Sequence, residues 1–242
     1  MTRDEARKKI IFALDVPGMA DVTKWAGLLS GKVGMFKIGK QLFTACGPEA
    51  VRAIRQAGGE VFLDLKYHDI PNTVAMATLE AARLGVQLCN LHALGGYEMM
   101  ATTMEMLRNK CAEQRPKVLA VTILTSSNQE TLAEIGIETP LREQVVRLAK
   151  LAKRAGVDGV VASPQETSLI RESCGSDFLI VTPGVRPAFA SVDDQKRIMT
   201  PADAVSAGAD YLVIGRPISA HADPVQACDL IVDEIFAGKA GL

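Results

Sequence analysis

Along this chain, short continuous apolar runs alternate with longer segments whose apolar residues recur every three or four positions. The runs at 10–14, 35–38, 60–65, 88–92, 118–123, 159–161, 178–182 and 211–214 predict strands covered on both faces. The segments 20–29, 47–57, 74–84, 98–112, 141–155, 165–174, 200–207 and 224–236 predict helices with one apolar stripe. Four of these helices run into glycine, at Ala57-Gly58, Leu84-Gly85, Ala155-Gly156 and Ala207-Gly208. Glycine there suits the left-handed position just past a helix end. Eight strands alternating with eight helices in 242 residues predict an α/β fold, a (β/α)₈ TIM barrel forming a single domain over 1–242. The competing architecture is a doubly wound open sheet. It favours a glycine-rich dinucleotide fingerprint after the first strand, where this chain has Leu14-Asp15-Val16-Pro17-Gly18 instead.

One connection breaks the rhythm. Residues 183–197 (PGVRPAFASVDDQKR) show no periodicity, and loops this long in compact domains are usually lids or binding loops. Following strand seven, this loop lies on the active face of a barrel. The plain alternative is a variable surface loop.

Composition narrows the classes. Hydrophobic residues make up 48% and charged residues 23%, as in soluble globular proteins. The formal net charge is −1, from 27 basic and 28 acidic side chains, so no global field draws the chain to nucleic acid or membrane. No apolar stretch reaches the roughly 20 residues of a membrane span, and the charged N-terminus does not read as a signal peptide. The expected location is the cytoplasm. The five cysteines form no CxxC pair, which favours buried free thiols over a disulfide framework or zinc site.

Charge placed on strands is the strongest chemical signal. In Val61-Phe62-Leu63-Asp64-Leu65-Lys66, residues 62, 64 and 66 share one side. If that side is the barrel interior, Asp64 and Lys66 project into its mouth. Asp69 follows just before Ile70-Pro71, where proline predicts a helix start. Carboxylates on either side favour the ammonium form of Lys66, suited to delivering a proton and poorly suited to imine formation. A structural ion pair with Asp69 as a helix cap is the bland alternative. Asp15 ending strand one and Lys37 within strand two weigh against it, because two Lys and two Asp converging at one mouth can pair mutually.

The last two strands end in Thr182-Pro183-Gly184-Val185-Arg186 and Ile214-Gly215-Arg216-Pro217. Many (β/α)₈ enzymes hold a substrate phosphate with the loops after strands seven and eight. Gly215 allows close backbone approach, Arg216 offers a planar fork, and Gln195 can add a neutral donor. Metal ligation by His68, His92 and His221 is not favoured. Tyr67, Met99 and Met100 read as packing residues.

These motifs together resemble the orotidine 5′-monophosphate decarboxylase family: FALD at 12–15, FKIG at 36–39, DLKYHDIPNTV at 64–74, LTS at 124–126, TPGVRP at 182–187, Gln195 and IGRP at 214–217. The resemblance spans nearly the whole chain. It implies a (β/α)₈ homodimer with shared active sites that converts orotidine 5′-monophosphate to UMP with no cofactor and no metal. It further implies that Lys66 protonates C6, that Asp64 lies beside the leaving carboxylate, and that Lys37 and Asp15 contact the ribose. Asp69 and Thr73 would reach the partner subunit's site, Ile70 would bind substrate, Thr125 would contact the base or its neighbourhood, and Arg186, Gln195, Gly215 and Arg216 would bind the phosphate. The nearest alternative is the related Mg²⁺-dependent group of 3-keto-gulonate 6-phosphate decarboxylase and hexulose phosphate synthase. It shares a DxKxxD strand but lacks the IPNT continuation. A silent phosphate-binding regulator would be expected to lose one of the four charges, and ribulose-phosphate epimerase would need metal-binding histidines at successive strand ends.

Overall fold

Alternating strand side chains must fill the inside of a barrel or face its helices, and this chain does both with apolar residues. The computed structural model describes residues 1–111, 114–190 and 199–240. The strands are β1 (Ile10–Ala13), β2 (Met35–Gly39), β3 (Val61–Tyr67), β4 (Leu88–His92), β5 (Lys117–Val121), β6 (Gly159–Val161), β7 (Leu179–Pro183) and β8 (Tyr211–Ile214). They pair in parallel, in chain order, and close through β1 and β8. The expected barrel is the observed fold, and one barrel accounts for the described residues.

The first helices are α1 (Arg3–Lys8), α2 (Met19–Leu29), α3 (Lys40–Cys46), α4 (Pro48–Gln56), α5 (Pro71–Arg83) and α6 (Gly96–Cys111). The rest are α7 (Gln129–Glu134), α8 (Leu141–Arg154), α9 (Thr167–Cys174), α10 (Pro201–Ser206), α11 (Arg216–Ser219) and α12 (Pro224–Ala240). Eight occupy the expected positions. The periodicity missed α1, α3, α7 and α11, which are all short. Helix α5 begins three residues earlier than its apolar stripe because Pro71, with φ already fixed, takes the first helical position. Gly58, Gly85, Gly156 and Gly208 all have positive φ, as the helix-stop pattern requires. No helix among the described residues is long and apolar enough to cross a membrane.

Inside the barrel, Ile11, Met35, Phe62, Leu119, Val181 and Val213 form part of an apolar plug. Alternate residues face outward, where Phe12 packs against Trp25 and Phe36 at ring separations of 5.3 and 6.1 Å. At the N-terminal face, Asp158 accepts two bonds from Arg115 (2.6 and 2.8 Å) and one from the Val118 N–H. Burial pushes the Asp158 carboxyl up, but the Arg115 bonds and the Val118 N–H bring it below the usual range. That pairing contributes stability above the ordinary carboxylate range, lost as pH falls through the lowered value. Charge at this face serves folding; charge at the opposite face has other work.

Candidate active site

The plug stops at the level of Phe62, and the next inward layer carries charge. Lys37 is level with Phe62 across the β2–β3 ladder, and Gly39 is level with Asp64. The Lys37 ammonium therefore rises past Phe62, reaching Asp15 at 3.0 Å and Asp64 at 3.6 Å. Lys66 Nζ donates to Asp64 Oδ1 at 2.5 Å. Asp15, Lys37, Asp64 and Lys66 thus form one alternating chain of charge, as the strand ends predict. Gly39 keeps it open: a Cβ there would lie 3.1 Å from the Lys37 ammonium.

Asp64 and Lys37 are each only 9% exposed, so their charges interact with little solvent screening. Burial pushes the Asp64 carboxyl up. The charges of Lys37 and Lys66, with hydrogen bonds from Lys66 and Asn90, outweigh it and hold the group below its usual range. The carboxylate therefore stays ionised at neutral pH. His92, at the end of β4, is pushed down to about 4 by burial, with His68 and Lys40 adding to the effect. Its ring lies 5.5 Å from that of His68, while His221 packs against Phe189, so the three histidines do not converge.

Lys66 has φ +54°, making it the one left-handed non-glycine residue among those described. Such a conformation costs about 1–3 kcal/mol and persists only where its surroundings impose it. Here the β3–β4 register shifts between Leu63 and Tyr67, and the Lys66 N–H donates to Asn90 Oδ1 at 2.8 Å. Sequence reasoning overlooked Asn90. Its signal was a polar residue of inward parity in the apolar run LCNLH.

The opposite wall is apolar. A cavity of about 190 Å³ over the charge chain is lined by Lys37, Asp64 and Lys66 on one side and Val121, Ile123, Val161 and Pro183 on the other. Thr125 lines it too, as expected. Three residues beyond Pro183 on β7, and three beyond Val213 on β8, Arg186 and Arg216 line a second cavity of about 230 Å³. A planar, partly charged group in the first cavity and an anion in the second would be spanned by the same two strands. Gly215 lies in the chain between Val213 and Arg216, its α-carbon so near β1 that a Cβ would lie 3.2 Å from that of Ala13.

Two expectations need correction or limit. Lys66 is not held between two acids of its own chain: the Asp69 carboxylate accepts from the adjacent Ile70 N–H at 2.7 Å, and Asp69 joins no ion pair among the described residues. The left-handed turn at Lys66 and the start of α5 carry the chain outward, leaving Asp69, Ile70 and Thr73 exposed. Nor does Asp69 cap α5, whose first turn has no side-chain cap. In the 183–197 loop, the described base is tied by a Val185–Met199 bridge and an Arg186 N–H bond to Met199. Gln195 lies outside the described residues.

Comparison with known proteins places this geometry. Orotidine 5′-phosphate decarboxylase of Geobacter sp. (strain M21) is 74% identical over 240 residues, covering 98% of this chain and all of that one. The protein of the same name from Geobacter sulfurreducens is 70% identical over 239 residues, covering 98% of this chain and all of its own. The crystal structure of orotidine 5′-phosphate decarboxylase from Lactobacillus acidophilus superposes with a TM-score of 0.82 at 38% identity, covering 93% of this chain and 98% of that one. Residues 8–231 match the profile of the orotidine 5′-phosphate decarboxylase / HUMPS family, and the chain belongs to that family.

Proposed function

We propose that this chain decarboxylates orotidine 5′-monophosphate to UMP without a cofactor, with Lys66 as the proton donor. The observation that carries the reading is the Asp15–Lys37–Asp64–Lys66 chain, buried at Lys37 and Asp64 and facing an apolar wall, with two arginines one cavity away. The pyrimidine lies in the first cavity and the 5′-phosphate in the second. The C6–carboxylate bond breaks, the electron pair stays on C6, and CO₂ leaves toward the apolar wall. The Lys66 ammonium stabilises the developing carbanion and then transfers a proton from Nζ to C6. Solvent restores the lysine proton after product release. Asp64 holds Lys66 in place, and its charge also repels a substrate carboxylate brought close to it. Lys37 and Asp15 bind the ribose hydroxyls; Arg186, Gly215, Arg216 and Gln195 bind phosphate.

The working unit is a homodimer with shared sites. In support, Asp69, Ile70 and Thr73 are exposed, as are the apolar side chains Met76 on α5, Leu94 in the turn before α6 and Tyr97 at the start of α6. A second copy covering that surface would receive Asp69 and Thr73 into its own site. Mixing inactive Lys66→Ala and Asp69→Ala subunits should restore activity, because one of the two sites in each heterodimer then has both native residues. Confirmed heterodimers without recovered turnover would refute the shared site.

A further inference from the structure

We propose that Asn90 is a positioning residue for this reaction, its carboxamide locking the Lys66 backbone and the Asp64 carboxylate into one rigid unit. The inference rests on Lys66 being the proton donor. Asn90 is 1% exposed, in the middle of β4. Leu63 pairs with Cys89 and Tyr67 with Leu91, so Asp64, Leu65 and Lys66 all stand opposite this single residue. A bulge of that kind leaves backbone groups without ladder partners, and Asn90 supplies one. Its Oδ1 accepts from the Lys66 N–H at 2.8 Å, while its Nδ2 donates to Asp64 Oδ1 at 2.7 Å. That same carboxylate oxygen accepts from Lys66 Nζ. The bonds close a ring from the Lys66 backbone through Asn90 and Asp64 to the Lys66 ammonium.

The chemistry permits one orientation of the amide. A backbone N–H can only donate and an ionised carboxylate only accept, so Oδ1 must face Lys66 and Nδ2 must face Asp64. Asparagine is the residue whose two ends match those two demands at this reach. The ring also accounts for the left-handed φ of Lys66, which places its side chain back over Asp64 instead of along the strand. Asn90 need not touch substrate. It fixes where the ammonium sits, and misplacement of a reacting group by about 1 Å costs on the order of a hundredfold in rate.

Two substitutions test this. Asn90→Ala removes both bonds; kcat should fall about a hundredfold, with KM for the nucleotide and Kd for UMP within about threefold of wild type. Asn90→Asp keeps the shape and the acceptor but turns the donor into a second carboxylate beside Asp64. Two such neighbours share a proton, raising one apparent pKa. When protonated, Asp at this position again donates to Asp64, so its activity should recover as pH falls. The ratio of its kcat to wild type should rise about tenfold or more from pH 8 to pH 5.

The groups facing position 90 do not mimic that rise. Asp64 is held low by its lysine partners Lys37 and Lys66; His92 is pushed down to about 4; Cys89 and Tyr67 are pushed up to about 12 by burial. His68, beside His92, is common to both proteins and cancels in the ratio. If Asn90→Ala fails to fold, the Asn90→Asp profile decides alone. Folded variants with kcat within about threefold of wild type, or an Asn90→Asp ratio flat with pH, overturn the inference. Should Lys66→Ala remain active, the proton-donor reading itself fails; should it be dead while the Asn90 variants stay active, only this inference fails.

Discussion

Replacing Lys66 with alanine should abolish turnover while leaving the fold and UMP binding in place. The lysine supplies two effects at one atom. As a fixed positive charge beside C6 it stabilises the carbanion, an effect typically worth about 10²–10³ in rate for a single preorganised donor. As the acid that quenches that carbanion it contributes about 10²–10⁴. Together the loss should reach roughly four orders of magnitude or more. Folding survives because Asp64 keeps the Lys37 charge and the Asn90 hydrogen bond after the ammonium is gone. UMP binding survives because ribose and phosphate are held elsewhere. Steady-state kinetics with a parallel UMP titration checks both halves. A variant retaining a tenth of wild-type kcat would remove Lys66 from the chemistry.

The second large effect is expected far from C6. Arg216→Ala should lower kcat/KM for the nucleotide about a hundredfold, since charge-assisted, bidentate contacts to phosphate are worth about 1.5–3 kcal/mol. Part of the loss should fall on kcat. Binding energy from the phosphate is used to organise the distant base, so weakening it slows the step as well as the encounter. The unphosphorylated nucleoside provides the control: its slow decarboxylation should be unchanged by the substitution. Equal kcat/KM for the nucleotide in variant and wild type would move the phosphate away from Arg216.

Much of this was legible in the chain. Continuous apolar runs gave every strand to within two residues, because strands buried on both faces leave no other pattern. Parity along β3 put Asp64 and Lys66 on the inside, while Lys37, level with Phe62 in the ladder, reaches Asp64 through the length of its side chain. The capping box of Thr2 and Glu5 was a visible sign of α1, yet a six-residue helix offers too few turns for periodicity to register. Helix α3 escaped because its seven residues bury a single side chain, Leu42, too little for an apolar stripe to register.

The site was less legible where backbone geometry departs from the regular. Nothing about a lysine announces positive φ, so the bulge at Lys66 and the outward turn of Asp69 could not be foreseen from spacing. Asn90 was missed for a related reason: its importance comes from a register shift between two strands. The apolar wall from β5 to β7 was hidden differently. Val121, Val161 and Pro183 look like any barrel core until the charged wall opposite leaves a cavity between them.

In the proposed reaction, protein side chains alone remove CO₂ from orotidine 5′-monophosphate. The most direct measurement follows the absorbance of that nucleotide with protein exhaustively treated with EDTA. Side-chain catalysis predicts full conversion to UMP with one CO₂ released per nucleotide, at a rate unchanged by EDTA or by added Mg²⁺. Stable absorbance, or conversion that appears only when Mg²⁺ is restored, would contradict it.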